Sequence, residues 1–131
     1  MSDFSQTDFS YLMILLAGLL PYLFTLLAKI GSGRMYNNHD PREFLAQLEG
    51  KHKRANNAQL NSFEAFPLFA VGVLVAHQKL GTSPDYFMLN LLSMCFVLAR
   101  ITYGWAYISD YASFRSLIWF VGFAIACSLY F

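Results

Sequence analysis

The chain holds 131 residues, 56% of them hydrophobic and 13% charged, with a formal net charge of +1. A soluble domain carries about 25% charged residues, so the composition excludes an ordinary soluble fold, and a charge this close to zero excludes a global pull toward nucleic acid. The length suits one domain and leaves no room for a second.

The opening stretch MSDFSQTD carries Asp3 and Asp8 and lacks the basic flank of a cleavable signal peptide, so the first apolar segment is expected to stay in the mature protein. Four apolar segments follow, at about residues 9–29, 58–78, 86–108 and 114–131. Each runs about 18–24 residues, enough for a helix to cross ~30 Å of hydrocarbon. They are too long and too uniformly apolar for barrel strands, so the spanning structure must be helical. The expected fold is an all-α membrane protein, a single bundle of four transmembrane helices over residues 1–131.

The connection after the first span, residues 30–57, is the one sizeable polar piece. Together with the end of that span it brings Lys29, Arg34, Arg42, Lys51, Lys53 and Arg54, and the third connection adds Arg115. The opposite side has Lys79 alone. Lys and Arg concentrate on the cytoplasmic side of a membrane, so the first and third connections are expected in the cytoplasm and both termini outside it. Tyr11, Tyr22, Tyr86, Trp105, Tyr107 and Tyr111 lie near span ends, as interfacial aromatic belts do. Within NNHDPREFLAQLEG, Asp40 reads as an N-cap, Pro41 as a first-turn residue and Gly50 as a stop. The short helix between them would turn Phe44, Leu45 and Leu48 onto one face, closing that end of the bundle.

The second span opens on QLNSFEAFP, where Asn57, Asn61 and Glu64 share one helical face. The third span carries Arg100, Tyr103 and Tyr107, again on one face. At ~1.5 Å per residue, Glu64 lies about 9 Å inside a membrane that begins near Ala58, and Arg100 about 12 Å inside from Ile108, depths at which the two charges can meet. An unpaired charge at mid-membrane costs at least ~2.5–3.5 kcal/mol on insertion scales, and pairing them is the simplest way to keep both. Intramembrane ionisable residues are functional candidates. This cluster also offers amides, phenols and Arg115 at the start of the fourth span, a set able to hold a small zwitterionic or anionic ligand. Pro67 is expected to bend the second span locally. His39, His52 and His77 are scattered and no Cys–His spacing fits a metal site.

The pattern of Gln59, Asn61, Glu64 and Pro67, then Arg100, Tyr103 and Tyr107, then Arg115 and Ser116, resembles the family of membrane-associated proteins in eicosanoid and glutathione metabolism. That family includes microsomal glutathione transferases, leukotriene and prostaglandin E synthases and a lipid-binding member without chemistry. The likeness covers essentially the whole chain, and the NNHDPR stretch is similar to the bacterial branch. It implies a homotrimer with the second span lining the three-fold axis, and glutathione bound between subunits near the cytoplasmic face. Asn61, Glu64, Tyr103 and Tyr107 fall on the family's glutathione-contacting positions, and Gln59 matches one in the leukotriene synthase. Arg34 falls on a basic contact from the adjacent subunit, Arg100 on the arginine of the third span, and Arg115 near the arginine that lowers the thiol pKa. The implied activity is glutathione transfer to apolar electrophiles arriving from membrane lipids, or reduction of lipid hydroperoxides, with Arg115 and Tyr103 as the catalytic pair. Such a detoxifying enzyme is expected in a bacterial inner membrane.

Two basic positions of the synthases are replaced here, by Asn57 and Leu60. Each charge-assisted bond is worth roughly 1.5–3 kcal/mol, so weaker glutathione affinity is expected. A non-catalytic lipid-binding or scaffold protein is the alternative on the same fold. A small four-span exporter using Glu64 fits less well, because the long basic connection is superfluous to it.

Overall fold

The computed structural model describes residues 6–81 and 85–131. Five helices make up the described residues: α1 (Gln6–Lys29), α2 (Pro41–Ala46), α3 (Gly50–Leu80), α4 (Phe87–Ile108) and α5 (Ala112–Ser128). The all-α expectation is met. Asp3, counted in the orientation argument, lies outside the described residues.

Among the described residues three helices are long and apolar enough to cross a membrane: the Phe9–Lys29 part of α1, α3 and α4. The segment expected as a fourth span is the apolar helix α5, whose 17 residues reach only about 25 Å, short of the ~30 Å hydrocarbon core. α3 is the outlier in the other direction. Its 31 residues extend to about 46 Å, so its first turns project beyond the hydrocarbon.

Helix α2 starts where the sequence places it. Asp40 Oδ1 accepts a hydrogen bond from the Glu43 backbone N–H at 3.1 Å, and Pro41 fills the first turn, where no donor is needed. Asp40→Ala is expected to cost about 1 kcal/mol of stability through the lost cap, measured by denaturant unfolding in mixed micelles. Phe44, Leu45 and Leu48 are buried as expected, in a cluster with Ala28 of α1 and Ala55 of α3. Gly50, read as the stop of this helix, is instead the first residue of α3. Its φ of +54° lets the chain reverse sharply between the two helices.

α3 therefore begins eight residues before the expected 58, and the basic run Lys51, Lys53 and Arg54 is helical rather than loop. The cause is tertiary. Helix ends leave carbonyls without intrahelical partners, and this polar extension supplies donors at two such ends. His52 Nδ1 lies 3.3 Å and 3.2 Å from the carbonyls of Leu27 and Ala28 at the end of α1. Arg54 Nε donates to the Ile108 carbonyl at the end of α4 at 2.9 Å. The extension is anchored by Ala55 and Ala58, both buried.

Above this end the bundle closes with a core that includes Met13, Phe69, Val73, Phe96 and Leu129. The rings of Phe69 and Phe96 stack at 4.0 Å with planes 8° apart, tying α3 to α4. α1 and α4 also pack closely. A Cβ on Gly104 would overlap the Phe24 ring, so only glycine fits there. Between α4 and α5 the chain turns within residues 109–111, where Asp110 takes the left-handed conformation at φ +66°. Aspartate is among the few non-glycine types that tolerate it.

Candidate functional site

The helical phase of α3 decides which polar residues meet. Asn61 and Ser62 face α4. The Arg100 Nη2 donates to Asn61 Oδ1 at 2.8 Å and to Ser62 Oγ at 3.2 Å. Arg100 is 4% exposed, and its guanidinium also lies over the Tyr103 ring, 4.2 Å from the centroid. Charge-assisted hydrogen bonds contribute about 1.5–3 kcal/mol each, comparable to the ~2.5–3.5 kcal/mol insertion cost of a mid-membrane arginine. The buried cation is thus held by neutral oxygens and a ring face.

The expected ion pair of Glu64 with Arg100 is not formed, although the Glu64 carboxylate remains near enough to act on the Arg100 charge. Among the described residues no ion pair joins them, and Arg100 Nε has no hydrogen-bond partner. At ~100° per residue, Glu64 is turned about 110° from the midpoint of Asn61 and Ser62. It lies on an exposed stripe with Leu60, Pro67, Val71, Leu74 and Gln78, spaced alternately by four and three residues along α3. Matching depth was right as a condition for pairing, but it is not sufficient; azimuth decides. α3 runs on as one helix through Pro67.

From Arg100 the polar ladder continues toward the basic end. The rings of Tyr103 and Tyr107 meet edge to face at 5.7 Å, with planes 76° apart. The Arg115 guanidinium, from the first turns of α5, lies over the Tyr107 ring at 4.2 Å from the centroid. Arg100, Tyr103 and Tyr107 share a face of α4 because they are spaced i, i+3, i+7. The tight turn at Asp110 brings the first turns of α5 alongside that face. A pocket of about 160 Å³ opens here, lined by Tyr103, Arg115, Ser116, Trp119 and Phe120. Its chemistry is mixed: one cation, a phenol, a hydroxyl and two large aromatic side chains line it. Among the described residues the Arg115 guanidinium makes no hydrogen bond, so its donors remain available to a ligand.

The structure thus brings Asn61, Arg100, Tyr103, Tyr107 and Arg115 into one run, leaves Gln59 and Arg34 apart from it, and sets Glu64 at its edge without a direct bond. Glu64 faces outward from α3. Gln59, two residues before Asn61, is turned about 160° from it, and its buried Oε1 has no hydrogen-bond partner. Arg34 is exposed in the loop after α1, where its Nη1 donates to Gln47 Oε1 at 3.2 Å. Ser62, Trp119 and Phe120 are site-lining residues that the sequence did not single out. Ser62 sits one residue from Asn61, and Trp119 and Phe120 fall four and five residues after Arg115. Trp119, one helical turn after Arg115, could have been nominated by spacing; Ser62 and Phe120 could not, because their facing depends on helix phase.

Comparison with known proteins adds one match. The family described as MAPEG family matches residues 9–131, nearly the whole chain. No curated protein and no solved structure matches it.

Proposed function

The chain belongs to the MAPEG family, and from that premise we propose that this integral membrane protein is a glutathione-dependent transferase or peroxidase for apolar electrophiles or lipid hydroperoxides. The observation that carries the proposal is the free Arg115 guanidinium at the mouth of the pocket with Tyr103 and Ser116. A thiolate, not a thiol, is the nucleophile in such chemistry. A cation with unused donors stabilises the thiolate, and a neighbouring tyrosine hydroxyl can donate to the sulfur. The aromatic side chains of Trp119 and Phe120 suit an apolar second substrate that enters laterally from lipid.

At about 160 Å³ the pocket is smaller than the ~300–1,000 Å³ of ordinary ligand sites. It suits the cysteinyl end of glutathione and leaves the rest of the tripeptide to a second surface. The exposed stripe of α3 supports the same view. A carboxylate at Glu64 among Leu60, Val71 and Leu74 is costly against lipid and is relieved in an assembly. We read the assembly as a homotrimer packed along α3. In it Glu64 receives the glutathione amino group, and the neighbouring subunit's copy of Arg34 receives a carboxylate. Asn61 and Tyr107 orient the peptide. Gln59 is placed with the binding set by family position. Arg100, whose Nη2 is already engaged, acts as a positioning residue that fixes Asn61 and Tyr103. The basic end faces the cytoplasm, with both termini on the other side of a bacterial inner membrane.

Calorimetric titration of glutathione into the detergent-purified oligomer tests the reading. Glu64→Gln is expected to weaken binding at least about tenfold, a loss of ~1.4 kcal/mol. Absence of binding at millimolar glutathione would move the assignment to a non-catalytic lipid-binding protein on the same scaffold.

A further inference from the structure

The far end of the bundle, opposite Arg115, holds a second cavity. It has a volume of about 190 Å³ and lies where the end of α3, the start of α4 and the end of α5 diverge. Leu80, Leu89, Leu92, Leu129 and Phe131 supply apolar walls, with Ala76 between them. Lys79 and Ser128 are the polar side chains of the lining.

Water is a poor occupant of this space. An ordered water needs two to four polar partners, and few of the groups lining this open cavity offer one. The Ser128 hydroxyl already donates to the Ile125 carbonyl at 2.7 Å. Lys79 Nζ donates to the Tyr130 carbonyl at 2.7 Å and lies 3.4 Å from that of Phe131. An ammonium has three donors, so Lys79 keeps one for an outside acceptor. The amine is exposed at the end of a spanning helix, where snorkelling lysines meet the headgroup layer. Two other ionisable groups of this end are among the described residues. Asp85 Oδ1 accepts from the Phe87 backbone N–H at 3.2 Å. His77 lies against Ser10, Tyr11 and Tyr86 on the α1 side.

An apolar cavity at headgroup depth, with one cation at its rim and a donor to spare, matches one occupant. We propose that this end of the bundle is a binding site for an anionic phospholipid. An acyl chain fills the cavity between α3, α4 and α5, and the phosphodiester is held by Lys79. The site is independent of glutathione and of the residues around Arg115.

Binding of dioleoyl phosphatidylglycerol to the delipidated, detergent-purified full chain tests the proposal, read by native mass spectrometry. Phosphatidylglycerol is expected to bind at least about tenfold more tightly than phosphatidylcholine of the same chains. Lys79→Gln should erase that preference and Lys79→Arg should restore it. Ala76→Phe, which fills the cavity and leaves the charge in place, should weaken both lipids. Equal affinity for the two lipids would overturn the proposal, as would a Lys79→Arg protein that behaves like Lys79→Gln. Full occupancy by inorganic phosphate alone, or lipid binding untouched by Ala76→Phe, would overturn it too. Should Lys79→Gln fail to fold by circular dichroism, the lipid comparison on the unaltered chain and the Ala76→Phe protein decide the matter.

Discussion

Arg115→Ala is expected to lower the rate of glutathione conjugation by about 10²–10³, the scale on which removing one preorganised donor from a developing anion acts. What matters is what Arg115 does not do. Among the described residues its guanidinium makes no hydrogen bond and no ion pair; it only lies over Tyr107 at 4.2 Å. Its removal therefore strands no buried partner, and stability should change by no more than about 0.5 kcal/mol. Arg115→Lys keeps the charge and loses the planar fork that sits on the ring, so an intermediate rate is expected. Two measurements check this: the steady-state rate with an apolar electrophile, and the ultraviolet difference spectrum of bound glutathione, which reports thiolate directly. A variant that keeps both rate and thiolate signal would remove Arg115 from the thiolate-stabilising role. A variant that loses the signal while remaining oligomeric and folded would support that role.

Gly104→Leu should produce the largest loss of stability of any single change considered. Phe24 is 4% exposed and its ring occupies the space a side chain at position 104 would need. Overpacking a tight core costs typically ~1–3 kcal/mol and occasionally more. Here even a Cβ overlaps the ring, so the upper end is expected for Gly104→Ala and failure to assemble for Gly104→Leu. Phe24 cannot simply turn aside, because it is packed in a cluster with Leu20 and Ala58, against which Tyr107 and Ile108 lean. Displacing Phe24 would therefore also shift Tyr107 and the Arg115 that rests on it, so activity should fall with stability. Unfolding midpoints in mixed micelles measure the first effect. The double variant Phe24→Ala, Gly104→Ala is expected to recover part of the loss, since neighbouring sites couple. Additive losses in that double variant would show that the α1–α4 contact is not what position 104 protects.

Much of the bundle was legible from residue types. Hydrophobic runs located α1, α4 and α5 to within a few residues because a membrane helix must hide its backbone and present apolar side chains, whatever its neighbours are. The α2 cap was legible because Asp40, Pro41 and Glu43 act on one another within a single turn. The start of α3 was not. Residues 50–57 are polar enough to pass for loop. They are helical because His52 and Arg54 meet the ends of α1 and α4, far away in sequence.

The same division runs through the site. Spacing alone put Arg100, Tyr103 and Tyr107 on one face, and they form one ladder, because periodicity within a helix is local geometry. Whether Asn61, Ser62 or Glu64 faces Arg100 depends on the rotation of α3 about its own axis. That rotation is set by packing: Phe69 against Phe96, Gly72 under Leu129 and Tyr130, and Ala58 beside Phe24. The sequence by itself determined a helical membrane protein and its polar ladder, since composition and periodicity act at short range, and its motif residues carried the family resemblance. Only the tertiary structure decided that Arg100 is held by Asn61 and Ser62 and that Glu64 looks outward. A helix's phase is a property of the contacts it makes with its neighbours, and no spacing within one helix encodes it.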